Sequence, residues 1–442
     1  MLKKICCGFL LVLSLLTMLS VNAGEVAAEV LEQSFISGAT NKSALSYAAG
    51  EEMVFTFKFH MPAGHTPEKN WSLFYTRKGD DGEVFSGRVP ANEMLTVKTK
   101  LNRRGFVSVT VRLVDENNKF IAWKNRRNQA RNISFFAGTA VEAEKLTDCG
   151  EPADFDQFWQ KQRAKLAQVP FAGKVELTRF NKSGDVEIFI VKIPCAGPRP
   201  VTGFIGVPVN AQPKSLPCEI VFTGYGNTKL VHTYTKWSAD RVKLLINAHG
   251  QEINQSKEYY DKFFASISSN GHSYAFDPIQ NSDPETAFFN GMALRVMRAL
   301  EYLKSRPEWN GRDLIARGGS QGGMQTVWAA ALDSDVTEAY PYITWCCDLA
   351  GASKAQRLAA YWRIQYVPAL DYYDPVFMAK RIKNAKVVIT RAGLGDYICP
   401  PSGLAILYNN LATPDKTIVW VQGSDHGFVP KKSEVITWRS GK

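Results

Sequence analysis

The sequence predicts a chain in two parts behind a short leader: a small all-β portion over 24–145, then a large α/β portion over 146–442 with a mainly parallel, doubly covered sheet. Three observations predict it. The 442 residues exceed what one ordinary core accommodates. Residues from about 30 to 140 alternate apolar and polar positions between turn signals, with no helical period. After Cys149-Gly150-Glu151-Pro152, strand-like runs alternate with helix-like ones, the pattern of a parallel sheet with helices on both faces. Hydrophobic residues make up 45% and charged residues 21%, which excludes a disordered chain.

The leader is the first element. Lys3 and Lys4 precede an apolar run from Ile5 to Leu19 and the small-residue ending Val21-Asn22-Ala23, so 1–23 reads as a secretory signal peptide cleaved near Ala23. The run is shorter than the ~20 residues of a spanning helix, and Cys6 and Cys7 lie too near the start for a lipoprotein site. No later stretch could span a bilayer, so export to the periplasm or beyond, without stable membrane insertion, is expected. Of the formal charge of +11, Lys3 and Lys4 contribute two, leaving a scattered +9. A scattered basic surface speaks against nucleic-acid binding, with attraction to an acidic polysaccharide as the lesser reading. The cysteines beyond the leader are irregularly spaced, without a C-x-x-C pair or zinc-like spacing. They read as buried free thiols with room for one disulfide, and no metal is expected.

In the β portion, Met53, Phe55, Phe57 and Phe59 alternate with polar or exposed-type neighbours, as do Val107, Val109, Val111 and Leu113. Turns at Gly79-Asp80-Asp81-Gly82 and Glu116-Asn117-Asn118 separate such runs at intervals that suit an immunoglobulin-like sandwich. Its aromatics Trp71, Tyr75 and Trp123 read as core or as a glycan-binding face. In the α/β portion Asp154 is expected to cap a helix that carries Phe155, Phe158, Trp159, Gln162 and Leu166. Expected strands are 187–193, 218–222, 243–247, 314–317, 342–346, 386–390 and 417–421. Expected helices are 257–269, 287–304, 324–332, 375–383 and 402–411.

Chemistry concentrates in Leu314–Gly323, a strand, a glycine-dense turn and a helix that together satisfy G-x-S-x-G around Ser320. This is the nucleophile turn of the α/β-hydrolase fold. Small residues at 318 and 322 let strand and helix approach, and the N–H of Gln321 faces the place where an oxyanion develops. The missing Lys-Ser/Thr that should close a phosphate-binding loop speaks against that reading. A serine needs a base, and in this fold the order along the chain is Ser, acid, His. His60, His65, His232, His249 and His272 all precede Ser320, which leaves His426. The acid follows a strand between the two, and 386–390 leads to Asp396. Asp348 is the rival, while Asp425 is too close to His426 to turn back onto its ring. A second oxyanion donor is expected from Thr223-Gly224-Tyr225-Gly226-Asn227, at the N–H of Tyr225.

Several separated blocks resemble the acetyl xylan esterase and cephalosporin C deacetylase family, carbohydrate esterase family seven. They are Asp154–Trp159, Gly318–Gly323, Tyr372-Tyr373-Asp374 with Phe377–Ile382, Gly393–Ser402 and His426. The resemblance spans roughly 150 to 430. It implies Ser320, Asp396 and His426 as a triad, Tyr225 and Gln321 amides as oxyanion hole, no cofactor, and acetyl removal from sugar hydroxyls, typically on xylan fragments. It implies Cys399 as a structural neighbour of the acid. It also implies a homo-oligomer, which the additional β portion could block or replace. Leu245–Gln251 departs from the family's Asp-x-Arg-Gly-x-Gly pattern.

The resulting expectation is a serine esterase acting through an acyl-enzyme. A serine peptidase and a feruloyl-type esterase remain alternatives within the enzyme class. Outside it stands a carbohydrate-binding protein on an inactive hydrolase fold.

Overall fold

Period-two burial builds the first half of the chain. The computed structural model describes residues 26–125, 128–430 and 432–440, so the leader expected over 1–23 lies outside the described residues. After a short helix α1 (Ala28–Gln33) come β1 (Phe35–Thr40), β2 (Met53–His60), β3 (Ser72–Gly79), β4 (Val84–Pro90) and β5 (Leu95–Thr99). Then follow β6 (Gly105–Val114), β7 (Ala122–Lys124), β8 (Ala130–Asn132) and β9 (Ser134–Val141). They form a β1-β2-β5 sheet, a β4-β3-β6-β9 sheet and a β7-β8 hairpin, antiparallel throughout. The alternating residues of β2 and β6 named above are all buried, and the edge of the Phe57 ring meets Phe135 at 5.9 Å between centroids. That contact joins β2 of one sheet to β9 of the other, which is how two one-sided sheets share a core. Trp71 belongs to this core; Tyr75 and Trp123 are half-buried against it.

The second half is one ten-stranded sheet. Its strands are β10 (Glu176–Ser183), β11 (Val186–Ile193), β12 (Val201–Pro208), β13 (Leu216–Phe222), β14 (Val242–Ile246), β15 (Trp309–Ser320), β16 (Glu338–Thr344), β17 (Lys386–Gly393), β18 (Lys416–Val421) and β19 (Val435–Ser440). The order is β10-β11-β12-β14-β13-β15-β16-β17-β18-β19, parallel from β14 to β18 and antiparallel at both flanks. This is the mainly parallel sheet that an α/β-hydrolase requires. Helices α2 (Phe155–Ala167), α3 (Lys257–Ser266), α4 (Phe288–Lys304), α5 (Gln321–Leu332), α6 (Gly351–Lys354), α7 (Pro375–Met378) and α8 (Pro401–Asn410) lie between the strands. Central strands covered on both faces have no polar side to show: β14 is buried at every position, even at Lys243, whose Nζ donates to the Lys236 carbonyl and lies 3.6 Å from Glu219.

Several boundaries differ from expectation. The helix after Ser320 starts at Gln321 rather than Met324. The strand expected over 342–346 runs 338–344 instead, and beyond its end Cys346 and Asp348 take positive φ, which a continuing strand does not accommodate. The helix expected over 375–383 shrinks to α7 and a 3₁₀ turn over Ala379–Arg381. Asp154 precedes α2 but makes no side-chain cap; its carboxylate accepts from the Tyr372 hydroxyl instead. Strands β10, β12 and β19 were not foreseen. The first is exposed at nearly every position and carries no alternation, while Gly203 and Gly206 make β12 read as a loop. All six cysteines from Cys149 onward are free.

Candidate active site

At the end of β15 the chain must turn from strand to helix within one residue. Ser320 absorbs the reversal at φ 56°, ψ −117°, a conformation costing about 1–3 kcal/mol for a residue with a Cβ. The turn closes only because its flanks are bare. A Cβ on Gly318 would sit 2.5 Å from the Gly322 carbonyl oxygen, and one on Gly322 2.5 Å from that of Phe222. Ser320 is half-buried at the carboxyl edge of the sheet, and Gln321 opens α5, whose first-turn N–H groups have no intrahelical acceptor.

The acid and the imidazole come from the next crossovers along the same edge. Asp396 lies just beyond β17 and is fully buried; Oδ1 accepts from the N–H groups of Ile398 and Cys399, both at 2.8 Å. Its other oxygen, Oδ2, lies 3.1 Å from His426 Nδ1 in the loop after β18. With Nδ1 on the carboxylate, Nε2 of the half-buried ring is the nitrogen available to act as a base. Arg391 donates to the His426 carbonyl at 2.6 Å and lies 4.7 Å over the Tyr342 ring, which in turn closes on Gly319, the residue before Ser320. Trp345 N–H also holds the Ser320 carbonyl at 3.1 Å.

The rivals are otherwise engaged. Asp348 pairs with Arg357, and its burial raises it to about 6. Asp425 caps its own turn, accepting from the N–H groups of Gly427 and Phe428. Burial among Tyr274 and neighbouring aromatics holds the His249 imidazole down at about 3, so it stays neutral.

The Tyr225 loop is fastened by a residue that no motif pointed to. The Tyr274 hydroxyl accepts from Gly226 N–H at 3.1 Å and donates to Gln321 Oε1 at 3.2 Å, while the Tyr225 hydroxyl donates to the Tyr274 carbonyl at 3.0 Å. The two tyrosine rings stack at 4.2 Å. Both expected oxyanion residues, Tyr225 and Gln321, are therefore tied to one buried side chain. A cavity of about 330 Å³ opens beside the loop, bounded by Gly224, Tyr225, Tyr234, Asn247 and Gln251. The departure at Leu245–Gln251 has a local logic: Asn247 Oδ1 collects the N–H groups of His249 at 2.9 Å and Gly250 at 2.6 Å, and so shapes the turn after β14.

One donor atom each of Asp396, Cys399 and His426 falls within 4.8 Å of the others. The set does not suit a metal. Burial pushes the Cys399 thiol well above its usual range, its Sγ donates to the Ile343 carbonyl, and both Asp396 oxygens already have partners. Cys399 instead supplies a backbone N–H to the acid.

Comparison with known proteins gives the family of the α/β portion. Residues 146–441 match the family described as Acetyl xylan esterase (AXE1). Acetyl esterase Axe7A of Xylanibacter ruminicola is 24% identical over 278 residues, 61% of this chain and 62% of that protein, so the match spans less than two thirds of the curated relative. Among solved structures, an acetyl xylan esterase from Paenibacillus sp. R4 superposes with a TM-score of 0.54 at 25% identity, covering 65% of this chain and 94% of that one. Acetyl xylan esterase 1 from Thermoanaerobacterium sp. JW/SL YS485 does so with a TM-score of 0.53 at 20% identity, covering 66% and 94%.

Proposed function

Since the chain belongs to the acetyl xylan esterase family, we propose that it is an exported serine esterase that removes acetyl groups from the hydroxyls of a xylan-type carbohydrate. The observation that carries this reading is the Asp396–His426 hydrogen bond at the sheet edge where the strained Ser320 turn lies. Ser320 Oγ attacks the ester carbonyl while His426 Nε2 takes its proton. The carbonyl oxygen becomes an oxyanion held by the N–H groups of Tyr225 and Gln321. His426 returns the proton to the departing sugar oxygen, which leaves Ser320 acetylated. Water, deprotonated by the same imidazole, then releases acetate and restores the serine hydroxyl. Asp396 keeps Nδ1 as the donor side and stabilises the imidazolium without itself taking the proton. Every step uses side chains and amides of the chain, with no cofactor.

The N-terminal portion reads as an immunoglobulin-like sandwich over 24–145, supported by its two antiparallel sheets around one core. The substrate reading is tested with purified protein on p-nitrophenyl acetate, longer acyl esters, a feruloyl ester, a peptide amide and acetylated xylan. Release of acetate from xylan with a preference for the two-carbon acyl group is expected. Preference for an amide or a bulky acyl group would overturn it. Absence of both turnover and fluorophosphonate labelling in folded protein would favour a carbohydrate-binding role.

A further inference from the structure

The family match begins at residue 146, yet the loops bearing the acid and the base are gripped from outside it. Strand β9 runs along both. The side chain of Gln422, buried just after β18, makes a reciprocal pair with the backbone of Gly138: Gly138 N–H donates to Oε1 at 2.8 Å, and Nε2 donates to the Gly138 carbonyl at 2.8 Å. The same Oε1 accepts from Gly423 N–H at 3.1 Å, and Phe136 N–H donates to the Gly423 carbonyl at 3.4 Å. So β9 is bonded to the two residues that launch the loop ending in His426.

The acid loop is held by shape on the same strand. A Cβ on Gly138 would lie 2.0 Å from the Leu394 carbonyl oxygen, and one on Gly395 would lie 2.3 Å from that of Phe136, so each backbone fits only against a bare partner. The Phe136 ring lies 5.8 Å from that of Tyr397, the residue after Asp396. The two loops are stitched to each other by Gly395 N–H on the Ser424 carbonyl at 3.2 Å. A strand that fixes both loops fixes the separation of Asp396 and His426, and catalytic groups tolerate little displacement.

We infer that the N-terminal β portion is a working part of the active site, with β9 acting through Gln422 as the positioning residue that holds the His426 and Asp396 loops in register. This rests on the esterase reading. The test uses the full chain, p-nitrophenyl acetate, and titration of reactive serine with a fluorophosphonate, so that turnover is expressed per competent site. In Gln422→Ala, kcat per titrated site is expected to fall by about 10- to 100-fold with KM within about twofold. Gln422→Glu, which keeps the acceptor but loses the donor, is expected to fall between that variant and the unaltered chain. A merely structural role would lower the number of titrated sites or the Tm and leave kcat per site unchanged, and that result overturns the inference. If Gln422→Ala does not fold, Phe136→Ala is read in the same way, since it only trims the ring facing Tyr397. An unaltered chain without turnover or labelling would instead defeat the esterase reading, independently of Gln422.

Discussion

Asp396 spends its two oxygens differently, and the division predicts what its replacement does. Oδ1 takes two backbone N–H groups and Oδ2 faces His426 Nδ1. In Asp396→Asn the amide oxygen can keep the backbone pair while its NH₂ turns to the imidazole, which favours the wrong tautomer. The fold should survive and kcat should fall by about 10⁴-fold, as for the corresponding exchange in serine proteases. A steady-state assay with a melting curve checks both halves. Arg391 gives a milder case: it steadies the His426 carbonyl and covers Tyr342 without touching the reacting atoms. Arg391→Ala should lower kcat about tenfold or less and retain full fluorophosphonate labelling at long times, a split that labelling kinetics can read.

At the scale of elements, the β15–α5 turn is a packing problem solved by two bare positions. Gly318→Ala would drive a methyl group to 2.5 Å from the Gly322 carbonyl oxygen. Relief by backbone shift should cost about 1–3 kcal/mol and lower the calorimetric Tm, with activity lost alongside because the turn carries Ser320. This turn was legible in the sequence because its chemistry is local: strand, glycines, serine and helix follow one another within ten residues. Chain order also pairs Asp396 with His426, and the two side chains lie 3.1 Å apart. Tyr274 and Gln422 were not legible, since each acts on a segment far away in sequence, Gln422 across 284 residues to Gly138. Strand β10 escaped for the opposite reason, as an exposed flank with no buried side to impose a period.

Across the whole molecule the two portions are welded rather than merely tethered. Phe106 of β6 packs on Trp420 of β18 at 5.7 Å between ring centroids, and Asp80 after β3 accepts Phe106 N–H at 2.8 Å and Leu358 N–H at 2.7 Å. Burial raises the Asp80 carboxyl from its ordinary value to about 6. A raised folded-state value means the folded chain holds the proton more tightly, so this contribution is complete below about pH 4 and fades as pH rises through about 6. The Tm advantage of the unaltered chain over Asp80→Asn should therefore shrink between about pH 4 and 6, which a calorimetric series would follow. Sequence alone predicted two portions and left their relation open, because alternation reveals that a strand has a buried face but not which partner covers it.

The proposed relay through Ser320 is tested most directly by rapid mixing with p-nitrophenyl acetate, acid quench and mass mapping of the peptides. One acetyl group should appear on the Ser320 peptide during the first turnover, and it should be missing in His426→Ala and in Ser320→Ala. Turnover by the unaltered chain with acetyl on another residue, or a Ser320→Ala chain that hydrolyses the ester at the full rate, would contradict the account.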